Sequence, residues 1–247
     1  MQTTSDKQPQ PLEQLLLRKD IWRGYARHYV SKVIDTGFAP LNAGLLNGGW
    51  PLGALIEICQ QGFQGEWQLF TPALQRHNDG LLVLLNPPAE PFSQALIQAG
   101  IPLDQLVVID APEKSHFLAC FSELTRTGEC STILAWQPRE SLSYTELRKC
   151  LLAASEGAGL YVMFRPSTAQ QQSSPATLRL FNKLIPQGLE VTIFKQKGLL
   201  PRHQIEPLVL PLPSAWQAQQ PHHCLDQPLG GKAGRSENRV IPLRGKP

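Results

Sequence analysis

Short, mostly apolar runs recur through the middle of this chain, at 54–58, 81–85, 106–109, 132–136 and 160–164. A strand that is apolar at every position needs cover on both of its faces. The segments between several of these runs are built for that cover. Residues 114–127 and 143–156 have helical spacing, and 91–99 presents a polar face. Strands alternating with helices give a mostly parallel sheet, so the pattern predicts an α/β core.

Composition narrows the classes of function. The chain has 247 residues, with 23 Lys plus Arg against 20 Asp plus Glu, a net charge of +3. That is far too little for a surface coated along its length with nucleic acid, so any basic site is local. The 22 prolines predict short elements and irregular ends. Cys59, Cys120, Cys130, Cys150 and Cys224 form an odd set with no C-x-x-C spacing, as expected of reduced thiols. The opening MQTTSDKQPQ has no apolar signal segment, and no apolar run is long enough to span a bilayer, so a soluble cytoplasmic protein is expected.

Three parts are expected along the chain. Residues 1–30 comprise a loose start and a docking helix over 12–28, whose apolar face carries Leu15, Leu16 and Trp22. Residues 31–212 form the core, opening with an ordered connecting loop over 35–53 that Gly and Pro punctuate. Within it, 166–177 is a Gln/Ser-rich loop with nothing to bury, and 189–194 and 205–210 read as an antiparallel edge. Residues 213–247 read as a disordered Pro/Gly-rich tail, carrying Lys232, Arg235, Arg239, Arg244 and Lys246 against Asp226 and Glu237. The same tail suits a short partner-binding segment that orders on contact. His222-His223-Cys224 has no further ligand cluster nearby, so a metal is not expected there.

After the 54–58 run, Cys59 to Trp67 occupies the place where an α/β nucleotide hydrolase carries its phosphate loop. That loop needs G-x-x-x-x-G-K-S/T, with glycines to let backbone N–H groups wrap phosphate, Lys to neutralise it and a hydroxyl for magnesium. Only Gly65 stands in register. Gln60 replaces the first Gly, Glu66 the Lys and Trp67 the hydroxyl. A carboxylate at 66 repels phosphate. Pro72 would break the helix that normally follows, and Thr71-Pro72 instead reads as the cap and first turn of a separate helix. The 132–136 run ends in Trp136 rather than a metal-binding Asp, and 82–88 offers no carboxylate base. No catalysis and no cofactor are expected.

GGWPLGALIEI (48–58), ALIQAGIPLDQLVVI (95–109) and VTIFKQKGLLP (191–201) resemble segments of RecA-type recombinases, which implies a RecA-like, P-loop-type core with a degenerate nucleotide loop. Trp22-Arg23-Gly24, Thr36-Gly37-Phe38, Ala135-Trp136, Phe164-Arg165-Pro166 and Ser174 to Leu180 add a resemblance to the ImuA family. That resemblance implies an accessory protein of SOS-induced mutagenesis, with an ImuB-type polymerase-like protein and an error-prone replicative-type polymerase as partners, and a contact to RecA. WQLFTP (67–72), QAGIPL (98–103) and the stretches LTRTGECSTILAWQP and AASEGAGLYVMFRP also resemble the SulA family, over about 66–167. The alternative this implies is an inhibitor of cell division that binds FtsZ. Positions where that family presents Arg, Trp and Lys to FtsZ fall here on Glu66, Ala95 and Gln105. The SulA family lacks the GGWPLGALIEI lead-in and the late lysine strand.

Candidate partner contacts follow. Leu15, Leu16 and Trp22 either dock on a partner or pack within the chain. Lys195 and Lys197 lie two apart, on one side of a strand, and either reach a neighbouring RecA-like subunit or guard a solvated edge. The 166–177 loop sits where RecA places a DNA-binding loop but carries no Lys, Arg or aromatic between its ends, so strong DNA binding is not expected. Arg165 and Arg179 flank it and could contribute weakly. Trp67 and Trp136 are expected to be buried.

Overall fold

The computed structural model describes residues 32–62, 66–77, 79–198 and 206–211. By internal contacts the chain divides into units 1–212 and 213–247, and every described residue belongs to the first. The expected docking helix at 12–28, Gly65, and the tail with its His222-His223-Cys224 lie outside the described residues.

Ten strands and five α-helices are described. A two-stranded antiparallel sheet pairs β1 (Val33–Ile34) with β2 (Trp50–Pro51). Between them lies α1 (Ala39–Gly44), so the stretch expected as a loop carries a short helix. Asp35 and Asn42 fold that turn: Asp35 Oδ1 accepts from Gly37 N–H at 2.6 Å, and Asn42 Oδ1 accepts from Thr36 N–H at 3.0 Å.

The main sheet has eight strands in the order β10-β9-β8-β3-β7-β6-β4-β5. They are β3 (Ala54–Gln60), β4 (Leu81–Leu85), β5 (Leu106–Ile109), β6 (Cys130–Trp136), β7 (Leu160–Pro166), β8 (Leu178–Ile185), β9 (Gly188–Gln196) and β10 (Leu208–Leu210). The six strands from β5 to β8 are mutually parallel. β9 and β10 return antiparallel, as expected for the late β-runs. β8, which the sequence reading left out, joins this antiparallel flank to β3.

Alternation along the strands sorts the core into two layers. On one face Leu55, Val83, Leu85, Ile133, Ala135, Tyr161 and Met163 pack with Phe117 and Phe121 of α4 (Lys114–Arg126) and Leu147, Cys150 and Ala154 of α5 (Tyr144–Glu156). α5 starts where a capping box fixes it: Ser143 Oγ accepts from Glu146 N–H, and the Glu146 carboxylate accepts from Ser143 N–H at 2.7 Å. The other face carries Trp136 stacked on Phe164, at 4.7 Å between centroids, with Phe70 and Trp50 beyond. Trp136 is buried as expected, whereas Trp67 is half-buried. α2 (Thr71–Arg76) follows Phe70, and its cap residue is Phe70 rather than Thr71. Thr71 sits inside the first turn, its hydroxyl donating to Gln68 Oε1 at 3.5 Å.

Burial pushes the Cys59 thiol up to about 11 and the Cys150 thiol up to about 12. Neither side chain is exposed. Iodoacetamide at pH 8 is therefore expected to modify Cys59 and Cys150 at least about a hundredfold more slowly in the native protein than in urea, with half-buried Cys120 labelled before them. Peptide mapping by mass spectrometry checks the order; rapid native labelling of Cys59 or Cys150 contradicts it.

Candidate functional site

The two arginines expected to flank a DNA loop are in the interior. Arg165 on β7 is 2% exposed and Arg179 on β8 is 5% exposed, and both converge on Glu57 of the central strand β3, itself 0% exposed. Parallel pairing causes this, because Glu57 stands opposite Met163 on one side and opposite Arg179 on the other. Glu57 Oε2 accepts from Arg165 Nη1 at 3.1 Å and from Arg179 Nε at 2.8 Å, while Ser174 Oγ donates to Oε1. Two cations and one anion leave a surplus positive charge, which neutral oxygens solvate. Arg165 donates to Gln137 Oε1 at 2.8 Å and Gln172 Oε1 at 2.9 Å, and Arg179 to Gln172 O at 3.1 Å and Ala169 O at 2.7 Å. Phe194 lies under the Arg179 guanidinium at 4.8 Å.

These contacts correct two expectations. Arg165 and Arg179 are spent inside the fold and add nothing to a contact surface. The segment 166–177 does have something to bury: Ala169, Ser174, Ala176 and Thr177 are buried, and a 3-10 turn, Ser167–Gln171, closes it over the charges as a strap. Glu57 escaped the sequence reading. Its signal was a lone acid inside an apolar run, a position that requires a buried counter-charge.

Lys195 and Lys197 do not form the expected pair on one side of a strand. β9 ends at Gln196 and shifts register opposite Arg179 and Leu180, so Lys197 lies in the turn. Lys195 is half-buried and donates from Nζ to Ser174 O at 2.5 Å; burial, then the Arg179 charge, lowers its pKa. At the expected nucleotide loop, Gln60 is buried in the sheet opposite Asn182, and neither its Nε2 nor its Oε1 has a hydrogen-bond partner. No cluster of three or more His, Cys, Asp or Glu able to hold a metal occurs among the described residues.

Four of the seven exposed large apolar side chains among the described residues lie at the opposite edge of the sheet. Between β4 and β5 the chain forms α3 (Ser93–Gln98) and a 3-10 turn, Leu103–Gln105. Leu96 and Ile101 anchor this connection by burial, and Gly100, at φ +73°, lets the chain leave the helix so that Ile101 N–H reaches Leu96 O at 3.0 Å. Gln75 of α2 ties it down, donating to Ala99 O at 2.6 Å. Asn86 fixes the far end of β5, donating from Nδ2 to Ala111 O at 2.7 Å and accepting from Ala111 N–H at 2.5 Å. On this support Phe92 is 71% exposed, Ile97 50%, Val108 48% and Leu103 38%. Four large apolar side chains are thus exposed on one connection and its strand. Ala95 and Gln105, two of the three positions matched to FtsZ contacts, lie on α3 and in the adjoining turn, both half-buried.

Two curated proteins are similar to this chain over 122 residues: the cell division inhibitor SulA of Citrobacter koseri, 28% identical, and that of Escherichia fergusonii, 26% identical. Each match covers 49% of this chain and 63% of the relative, so the chain spans less than two thirds of the length of the relatives it matches. Among solved structures, SulA from Pseudomonas aeruginosa aligns at 22% identity and a TM-score of 0.37, covering 45% of this chain and 97% of that one. No protein-family model matches.

The expected place in a translesion polymerase complex is corrected by these relatives. Similarity leads to cell division inhibitors, not to a polymerase accessory protein with an ImuB-type protein and an error-prone polymerase as partners. Of the core, a mixed α/β fold with a mostly parallel sheet stands. No described helix is long and apolar enough to cross a membrane.

Proposed function

We propose that this protein is a non-catalytic inhibitor of cell division that acts in the cytoplasm during the SOS response by binding FtsZ. The observation that carries this reading is the similarity over 122 residues to proteins named as cell division inhibitors. The α3–β5 face is the contact surface. Apolar groups there take over from the Arg, Trp and Lys that Glu66, Ala95 and Gln105 replace, with Phe92 and Ile97 the most exposed of them on the α3 side. Large apolar side chains at the centre of an interface carry a disproportionate share of its binding energy.

The test is FtsZ assembly with purified protein, followed by light scattering. The wild-type chain is expected to suppress assembly, and Phe92→Asp with Ile97→Asp to raise the concentration needed by about tenfold or more. The melting temperature of that variant should stay near that of wild type, because Phe92 is mostly and Ile97 half in solvent. Normal assembly at a molar excess of wild-type protein, together with overexpressing cells that divide normally, would sink the reading.

A further inference from the structure

The partner's chemistry is written in the charge of this edge. Between His77 and Glu113 the chain has no Lys or Arg and five carboxylates, Asp79, Glu90, Asp104, Asp110 and Glu113, although the whole protein carries +3. Glu90 precedes α3, Asp104 sits in the Leu103–Gln105 turn and Asp110 follows β5, and all three are exposed. The basic residues bounding the segment are engaged elsewhere: Arg76 with Asp35, and Lys114 with Glu140 and Glu146.

Among the described residues β5 pairs with β4 alone, which leaves its other side an open edge. Asn86 N–H donates to Ile109 O at 2.8 Å, so Ile109 faces the sheet and Val108, by alternation, turns its own N–H and C=O outward. Such a row templates an added strand.

We propose that this edge takes an extended segment of its protein partner that carries Lys or Arg beside apolar residues, the segment adding to β5 as a strand and its cations meeting the exposed carboxylates of this edge. A second copy of this chain does not fit, because it would set Glu90, Asp104 and Asp110 against like charges. The inference rests on the α3–β5 face being the contact surface, and deepens it.

The test titrates full-length protein with a fluorescent peptide alternating Val with Lys and Arg, and with the same peptide carrying Glu in place of Lys and Arg. The basic peptide is expected to bind at least about tenfold more tightly, to weaken with salt and to protect the Val108 amide from hydrogen exchange. Asp104→Lys with Asp110→Lys should abolish the preference. Equal affinity for the two peptides, or a preference untouched by the Asp104 and Asp110 changes, overturns the proposal. So does a concentration-dependent dimer that Val108→Lys dissolves. FtsZ inhibition is measured on the same preparations: its absence with peptide selectivity intact overturns the function alone, and its presence with peptide binding blind to charge overturns the edge chemistry alone.

Discussion

Glu57→Ala is expected to cost about 3–5 kcal/mol, enough to consume much of a typical domain's stability, because it leaves Arg165 and Arg179 facing each other in the interior with no anion between them. Both guanidiniums are buried and cannot swing into water without lifting the strap over them. The measurement is the urea midpoint at constant m. Glu57→Gln separates charge from shape, since the amide keeps an oxygen for the arginines but no negative charge. A loss for Glu57→Gln close to that for alanine assigns the effect to charge. A loss below about 1 kcal/mol would mean that the carbonyls of Ala169 and Gln172 hold the arginines without help from Glu57.

Gly157→Ala should also be strongly damaging, at about 2–4 kcal/mol. A Cβ there would stand 2.2 Å from the Tyr161 hydroxyl oxygen and 2.4 Å from Thr125 O, where no such contact is tolerated. Those atoms already bond each other: Tyr161 OH donates to Thr125 O at 3.3 Å and accepts from Gly159 N–H at 3.1 Å, tying α4 to the start of β7. The new methyl therefore displaces a buried hydrogen-bonded ring. Tyr161→Phe alone should cost about 1–2 kcal/mol by stranding those groups. In the double variant the two losses should fall short of their sum, since the clashing oxygen has gone while the Thr125 contact remains. Additive losses would show that Tyr161 is not what Gly157 accommodates.

Much of the central sheet was legible because its strands are apolar at nearly every position and its longer helices are amphipathic. Residues 114–127 and 143–156 match α4 and α5 to within a residue at either end. β8 was hidden because Arg179, Asn182 and Lys183 interrupt LRLFNKLI, giving it the look of a loop although Arg179 and Asn182 are buried. The burial of Arg179 depends on Glu57, more than a hundred residues away, and no local pattern carries that information. α1 was hidden by its glycines and proline, which signal turns even where a turn of helix fits between them. The α3–β5 face had a weak signal, an apolar stretch with no basic residue, but its exposure follows only from β5 being the last strand of the sheet. The two family resemblances pulled toward different functions, and residue likeness alone did not separate them.

The strap over the buried arginines also sets how its own sequence can vary. It is fastened mainly through main-chain carbonyls, those of Ala169, Gln172 and Ser174, with the side chains of Gln172 and Ser174 as its added polar fastenings. Gln170, Gln171 and Ser173 face solvent, so substitution there leaves the fastening intact. Deleting any one of them shifts the carbonyls that follow out of register with fixed guanidinium and ammonium groups. Length, not composition, is the property that selection must hold constant in this segment.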